Sequence, residues 1–431
     1  MSYSGESYGS QDIGPGEDGG NKNPLRGLRT FRSLKNPVYR LYFSGIMGQR
    51  AAMNMQMIAR SYLIYALTGS AAILGLLSLC HALPVLLFSI FGGVIADRIQ
   101  KKYVLLIGLA GSAVLSLGVA FSLTTGFLSA EHEGSWWVLA VASVIQGSIM
   151  GLMIPSRQAI IPEIVDEEEI MNAVSLDSTG MNTLRLGAPA LAGFLIDSFG
   201  YGAVYYVMTA MYVAGTVCLV FMPLTGKLVG SAGNAIQDIK EGFRYIKNET
   251  TILLVLAFTL IVVVLSMPYM TLLPIFAEDV LKVGASGMGV LVSVSGIGAM
   301  ITSLVIASLP NKKRGIMLLI SGLLLGIALV GFSFSKSWPL SLLIIVFVGM
   351  GQAGRMALGN TLIQYYVDDD YRGRVMSVYI MQFGLTSFGS AGAGLLAEAV
   401  GPQWGLGGFA IALVFLTLFA LIFFRRIRNL D

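Results

Sequence analysis

The chain has 431 residues, of which 55% are hydrophobic and only 12% are charged, and its mean hydropathy is +0.75. Soluble domains contain about 25% charged residues, so this composition argues against a soluble protein and predicts an integral membrane protein. We attribute the net charge of +4 to basic loops on one side of a membrane and not to a nucleic-acid partner.

The chain begins with two segments that precede the first apolar run. Residues 1–21 are rich in glycine, serine and acidic residues, which predicts a disordered cytoplasmic tail. Basic residues then alternate with Leu and Phe, and the apolar residues recur every third position. This pattern predicts a short interfacial helix over residues 22–37, with a solvated tail as the alternative.

Twelve apolar segments follow, and each is long enough to cross a bilayer. They cover residues 38–66, 71–96, 102–125, 136–161, 170–198, 202–224, 251–278, 287–309, 315–334, 338–365, 372–399 and 404–424. The predicted fold is therefore all-α, with twelve transmembrane helices in two six-helix bundles. These bundles cover residues 38–226 and 251–424, with an amphipathic linker helix in 227–250 and a cytoplasmic tail at 425–431.

The basic residues predict the orientation of these segments. Outside the spans, Lys and Arg fall almost entirely on the side of the two termini, and the other side has only Lys282 and Lys336. Because basic loops stay in the cytoplasm, we expect both termini to be cytoplasmic.

An internal repeat supports two related halves. Residues 190–200 and 391–401 share Ala, Ala, Gly, Leu, an acid and Gly at one constant offset, which aligns Asp197 with Glu398. Parallel repeats of six helices are found in transporters of twelve helices.

One connection between spans carries a recognisable motif. Gly93 is followed by Asp97 and Arg98 and then by the pair Lys101 and Lys102. This run, which we interpret as a tight loop at the membrane surface, resembles the loop motif of the major facilitator superfamily. Residues 31–43, 67–70, 155–159 and 372–376 are similar to the bacterial branch that includes the enterobactin exporter and related drug exporters.

The resemblance implies alternating access between two bundles and export driven by the proton gradient. It also implies that Asp97 meets the start of the eleventh span, near Arg372 and Arg374, as a cytoplasmic latch closed in the outward-facing state. Gly187, Pro189 and Gly193 resemble a degenerate form of the exporters' antiporter motif. Such small residues allow close helix contact, and the proline leaves a carbonyl unpaired and invites a kink.

The first span has one polar face. At 100° per residue, its polar side chains share an arc and its apolar side chains lie opposite. We predict that this arc lines the transport path, with Gln49, Arg50, Asn54, Gln56 and Arg60 as its members. The alternative is that the arginines are structural, bonded to backbone carbonyls or extending to the interface.

Other spans add polar candidates for the path. They are His81, Gln146, Gln352, Arg355 and Gln382. Single buried glutamines more often join helices than bind substrates, and a lone intramembrane histidine is as readily a packing residue as a protonation switch.

Proton coupling requires a group that titrates, and the middle of the first span has no carboxylate. We predict Asp177 as the coupling acid and Arg185, two helical turns later, as the second coupling residue. The other titrating candidates are Asp97, Glu278, Asp279, Glu398 and His81. The alternatives for Asp177 are an ion pair or an acid favoured at a helix start.

These patterns predict a secondary transporter and not an enzyme, with neither metal nor cofactor. The predicted function is proton-coupled export of an amphiphilic small molecule, anionic or partly anionic because intramembrane arginines outnumber mid-membrane acids. The alternatives are an importer or uniporter of the same fold, and a lipid flippase or scramblase. The expected partners are the substrate, protons and membrane lipids, and the chain is expected to be a monomer.

Overall fold

The computed structural model describes residues 29–132, 134–224, 235–309 and 312–431. Within these ranges it does not describe the side chains of residues 29–30, 90, 93–94, 96–97 and 235–239. The predicted disordered tail, most of the predicted interfacial helix and residues 225–234 of the linker therefore lie outside the described residues. The described ranges form helices and turns without a strand, which confirms the all-α fold class.

Fourteen α-helices can be numbered in the described residues. They are α1 Pro37–Thr68, α2 Ala71–Arg98, α3 Lys101–Thr124, α4 Trp137–Ile164, α5 Ile170–Phe221, α6 Ala235–Asn248, α7 Thr250–Ser266, α8 Pro268–Ile275, α9 Gly284–Ser308, α10 Arg314–Phe334, α11 Trp338–Tyr366, α12 Arg372–Val400, α13 Pro402–Phe423 and α14 Arg425–Arg428. Short 3₁₀ turns cover Arg29–Lys35, Glu167–Glu169 and Asp369–Tyr371, and a π-helical turn covers Phe276–Val280.

Each of the twelve predicted spans overlaps helix in the structure, and the seventh covers α7, α8 and part of the π-helical turn. The fifth and sixth spans both lie in α5, which is interrupted at Gly200, where φ is 79° and a residue without Cβ is favoured. By length and composition, nine helices of the described chain can cross a membrane. Helices α1 and α12 are not among the nine, so the number of crossings stays a prediction.

The helices are arranged in two groups. Helices α1 to α5 pack together, and α7 to α13 form the second group. The largest contacts between the groups are those of α2 with α12 and of α5 with α9. We call the end of the bundle that carries α6 and residues 99–100 the linker end, and the opposite end, with residues 69–70 and 335–337, the distal end.

The predicted loop motif is mostly helical. Helix α2 continues through Arg98, so only Ile99 and Gln100 connect it to α3. Lys101 forms an ion pair of 2.5 Å with Glu163 in α4. Lys102 donates hydrogen bonds to the backbone oxygens of Val220, at 3.0 Å, and Met222. These two lysines therefore hold the linker end of the N-terminal group, where a cation complements the unpaired carbonyls that end α5.

Helix α6 packs on the start of α12. Tyr245 stacks on Tyr371 with the ring centroids 4.3 Å apart, and Ile246 is buried. The last residues of the chain also pack on the bundle, since Leu430 accepts a hydrogen bond of 3.0 Å from the backbone N–H of Gly315.

Candidate functional site

The distal end is closed by a carboxylate cap from each half. Glu398 of α12 accepts hydrogen bonds from the backbone N–H groups of Ala71, at 2.8 Å, and Ala72, at 3.3 Å, at the start of α2. The first N–H groups of a helix have no partner within the helix and carry partial positive charge. The carboxylate of Glu398 therefore accepts hydrogen bonds from the unpaired N–H groups of α2 across the boundary between the two helix groups.

The same kind of contact, which we call a capped joint, occurs between α5 and α9. Asp197 of α5 accepts hydrogen bonds from the backbone N–H groups of Ala285, at 3.3 Å, and Ser286, at 2.8 Å, at the start of α9. Asp197 and Glu398 occupy equivalent positions of the internal repeat, so the two caps are related by the symmetry of the halves. The constant offset in the sequence was the signal that could have identified them as a pair.

Each capped joint also needs a glycine. A Cβ atom on Gly193 would lie 2.3 Å from the backbone oxygen of Ala285, and one on Gly394 would lie 2.5 Å from that of Ala71. These glycines are equivalent in the repeat, and they let the helix backbones touch.

The predicted helix-packing motif is only partly at this interface. Gly193 belongs to the joint, and the carbonyl oxygen of Pro189 lies 2.5 Å from the position of a Cβ on Gly289 in α9. Gly187 has no neighbour within 4 Å of such a position. Helix α5 continues through Pro189, and the expected kink there stays a prediction.

Tyrosines add a third set of distal contacts. Tyr62 donates a hydrogen bond to Glu278, and Tyr65 donates one to Asp279, from α1 to the π-helical turn of the other half. Four carboxylates thus accept hydrogen bonds across the boundary at the distal end.

Removing both caps should open this end. Losing a helix cap costs about 1 kcal/mol, so Asp197→Ala with Glu398→Ala should shift the equilibrium toward a distal opening roughly 30-fold. The measurement is the rate at which a membrane-impermeant maleimide, added from the distal side, labels a cysteine at Asn54 in a chain without Cys80 and Cys218. Glu131→Ala, at an exposed position of the distal α3–α4 loop, is the control, and equal rates in both variants would contradict the role of the caps.

The linker end is open. A cavity of about 900 Å³ lies between α2, α4 and α12, and His81, Gln158, Arg374 and Ser377 are among the residues that line it. The two halves therefore meet at one end and separate at the other.

Arg50 and Asp177 form an ion pair between α1 and α5. The guanidinium binds the carboxylate with two hydrogen bonds of 2.7 Å, and it also donates one of 2.9 Å to the backbone oxygen of Asp177. The side chains are 9% and 15% exposed, so the pair is largely, but not fully, shielded. Arg50 is therefore not a free cation on a cavity wall, and its acidic partner is the residue predicted for coupling.

A second arginine, which the sequence analysis did not assign to the site, interacts with this pair. Arg157 of α4 interacts electrostatically with both Arg50 and Asp177. Buried Tyr42 donates a hydrogen bond of 3.3 Å to the backbone oxygen of Arg157, and Tyr39 donates one of 2.8 Å to that of Ala173. Two cations face one carboxylate, so the local potential favours a further negative charge.

The structure divides the predicted polar arc of the first span. Asn54 donates a hydrogen bond of 2.8 Å to the backbone oxygen of Arg50 and stays on the α5 side. Gln49, which is fully buried, reaches the sulfur atoms of Met150 and Met153 in α4. Gln49 therefore does not share a path wall with Arg50 in this conformation.

The rest of the arc faces the interior of the N-terminal group. Gln56 and Arg60 line a small internal void, and Arg60 lies 3.5 Å from the Oγ of Ser143. Gln146 is hydrogen-bonded to Ser112 between α4 and α3. These contacts are those of residues that join helices, because a polar group inside a bundle is stabilised by a neighbouring polar group.

Three candidates lie within the C-terminal group. Gln382 donates a hydrogen bond of 3.0 Å to Thr259, and Gln352 lies 3.6 Å from the sulfur of Met267. Arg355 is 1% exposed, and its Nε and Nη2 atoms have no acceptor in the described part of the chain. Of the predicted path residues, His81 lines the large cavity.

The predicted latch stays a prediction, because the side chains of Gly93 and Asp97 lie outside the described ones. Arg98 is exposed. Arg372 pairs with Asp369 at 2.5 Å, and Arg374 pairs with Glu241 of α6 at 3.1 Å. Arg374 thus contacts the linker helix in this open state of the linker end.

Comparison with known proteins gives the context of this architecture. Over residues 29–431 the chain matches a family of major facilitator proteins described as transmembrane secretion effectors. It is 26% identical over 362 residues to the staphyloferrin A transporter of Staphylococcus aureus, which covers 80% of this chain and 87% of the relative. It is 24% identical over 401 residues to the enterobactin exporter of Escherichia coli O1:K1, which covers 89% and 90%.

A solved structure shares the fold. A bacterial homologue of the human lysosomal transporter Spinster, in an inward-facing and unoccupied conformation, is similar with a TM-score of 0.70. The match covers 94% of this chain and 98% of that chain, and the identity of 15% limits the likeness to the fold.

Proposed function

Because the chain belongs to the transmembrane secretion effectors of the major facilitator superfamily, and so is a multi-pass membrane transporter of small molecules, we propose that it exports an amphiphilic anion in exchange for protons. The mechanism is alternating access. The protein lies in a bacterial inner membrane with its linker end in the cytoplasm, as the excess of basic residues at that end supports.

The observation that carries the proposal is the difference between the two ends. The distal end is sealed by Asp197, Glu398 and the two glycine contacts, whereas a cavity of about 900 Å³ opens toward the linker end. In the proposed orientation this is the state that loads a molecule from the cytoplasm. Release outside then requires the distal joints to separate and the linker end to close.

The proposed coupling site is the pair of Arg50 and Asp177. In the observed state two charge-assisted hydrogen bonds hold the carboxylate on Arg50. Protonation of Asp177 weakens its hold on Arg50 and loosens the contact between α1 and α5, so the proton-loaded state differs from the observed state that loads the substrate. Exchange follows because the protein changes direction with either the proton or the substrate bound, and not with both.

The substrate class follows from charge and from the relatives. Among the described residues that we assign to the passage, Arg50, Arg157 and Arg185 outnumber the acid Asp177, which favours a negative group on the substrate. Two relatives are named for the transport of staphyloferrin A and of enterobactin, which supports export of a small molecule. His81, Asn54 and Arg355 remain proposed contacts along the path, and Arg372 and Arg374 remain proposed members of a latch that forms when the linker end closes.

Flux in inside-out membrane vesicles tests the proposal. With an acidic lumen, the chain should concentrate an anionic amphiphile such as carboxyfluorescein in the lumen, and nigericin, which collapses the pH gradient, should stop the uptake. Vesicles without the chain are the control. Movement out of the vesicles would instead indicate an importer, and gradient-independent exchange of fluorescent phospholipids between leaflets would indicate a scramblase.

A further inference from the structure

Arg185 is an intramembrane cation that the coupling pair does not explain. It lies near the middle of the first span of α5, and its side chain is exposed. Neither a hydrogen bond nor an ion pair joins it to the described part of the chain. A guanidinium at the centre of a bilayer costs about 2.5–3.5 kcal/mol or more when it faces lipid, so an exposed arginine at this depth must face a water-filled space.

The burial pattern of α5 gives the direction of that space. In the half of α5 nearer the linker end, six exposed residues fall within one arc of about 100° at helical spacing. They are Met171, Val174, Ser178, Met181, Asn182 and Arg185. On one side of the arc, Asp177 contacts α1, and on the other side Leu186 contacts α9. The arc therefore faces the gap between the two halves, and Arg185 is its only charge.

Arg185 also lies where that gap ends. Leu186, the next residue, accepts a hydrogen bond of 2.5 Å from Ser293 of α9, and α5 and α9 stay in contact from there to the distal end. Arg185 lies near Tyr269 of α8, in the other half. The guanidinium is thus beside the first residue at which α5 meets α9, on the linker-end side of that contact.

We propose that Arg185 binds the carboxylate of the transported molecule at this point, an inference that rests on the proposed export function. A planar guanidinium matches a carboxylate with two parallel hydrogen bonds. Asn182, three residues earlier on the same face of the helix, supplies amide donors. Met181 offers a deformable apolar surface for the non-polar part of an amphiphile.

A matched pair of ligands tests the site on the purified full-length chain in detergent, without any gradient. The probes are 4-phenylbutyrate and its uncharged analogue 4-phenylbutyramide, and the measurement is the shift of the thermal midpoint with ligand concentration. The carboxylate should stabilise the protein and the amide should not. Arg185→Gln should weaken the binding of 4-phenylbutyrate by about tenfold to a hundredfold, because a hydrogen bond to a charged group is lost. Arg185→Lys should recover part of this affinity.

The control is Arg40→Gln, at an exposed arginine of α1 at the linker end, which should bind the carboxylate like the natural chain. Without ligand, Arg185→Gln should unfold within about 2 °C of the natural chain, because an exposed side chain without partners contributes little stability. Equal binding of carboxylate and amide, or full carboxylate binding by Arg185→Gln, would overturn the assignment. If instead carboxylate binding depends on Arg185 while vesicles show no proton-driven efflux, the export proposal fails and the anion site remains.

Discussion

Replacing Asp177 with asparagine should abolish proton-driven transport and lower the stability of the protein. The change leaves Arg50 as an unpaired charge in a site where the two side chains are 9% and 15% exposed. Removing one partner of a buried ion pair costs about 3–5 kcal/mol of stability. Because this pair is partly exposed, we expect the free energy of unfolding to fall by about 3 kcal/mol. Thermal unfolding and carboxyfluorescein uptake by inside-out vesicles measure the two effects.

The double variant Arg50→Gln with Asp177→Asn separates coupling from a merely structural role. Removing both charges relieves the unpaired cation, so most of the lost stability should return. Proton-driven uptake should not return, because no group remains that titrates at this position. If the double variant regains both stability and uptake, the ion pair only stabilises the contact between α1 and α5, and another residue couples transport to protons.

Gly193→Leu should prevent closure of the distal end and stop transport. The Cβ atom alone would lie 2.3 Å from the backbone oxygen of Ala285, far inside the separation of about 3.5–4.0 Å at which non-bonded heavy atoms attract. Since the obstacle is backbone, α5 and α9 must move apart. Spin labels at exposed His132 and at Lys336, in the distal loops of the two halves, should report a longer distance than in the natural chain.

Gly187→Leu is the matched control. It makes the same change on the same helix, at a position with no neighbour within 4 Å. The label distance in this variant should equal that of the natural chain. An unchanged distance in Gly193→Leu, or an equal increase in both variants, would contradict the role assigned to the glycine joint.

The sequence alone determined where the helices lie along the chain, to within a few residues at their ends. Apolar runs long enough to cross a bilayer are local signals, and so the twelve predicted spans overlap the helical segments observed from Pro37 to Phe423. The resemblance of residues 93–102 and of the four further segments led to the family that the comparison confirmed. The loop motif itself was predicted too long, because α2 continues through Arg98.

Only the tertiary structure decided which way each polar side chain faces. The helical period groups Gln49, Arg50, Gln56 and Arg60 on one broad arc, but it cannot tell which part of that arc meets α4 and which part meets α5. Arg50 pairs with Asp177, 127 positions further along the chain. Gln49 and Arg60 instead face the interior of the N-terminal group. A side chain's surroundings in a bundle depend on which helices pack beside it, and no local spacing contains that information.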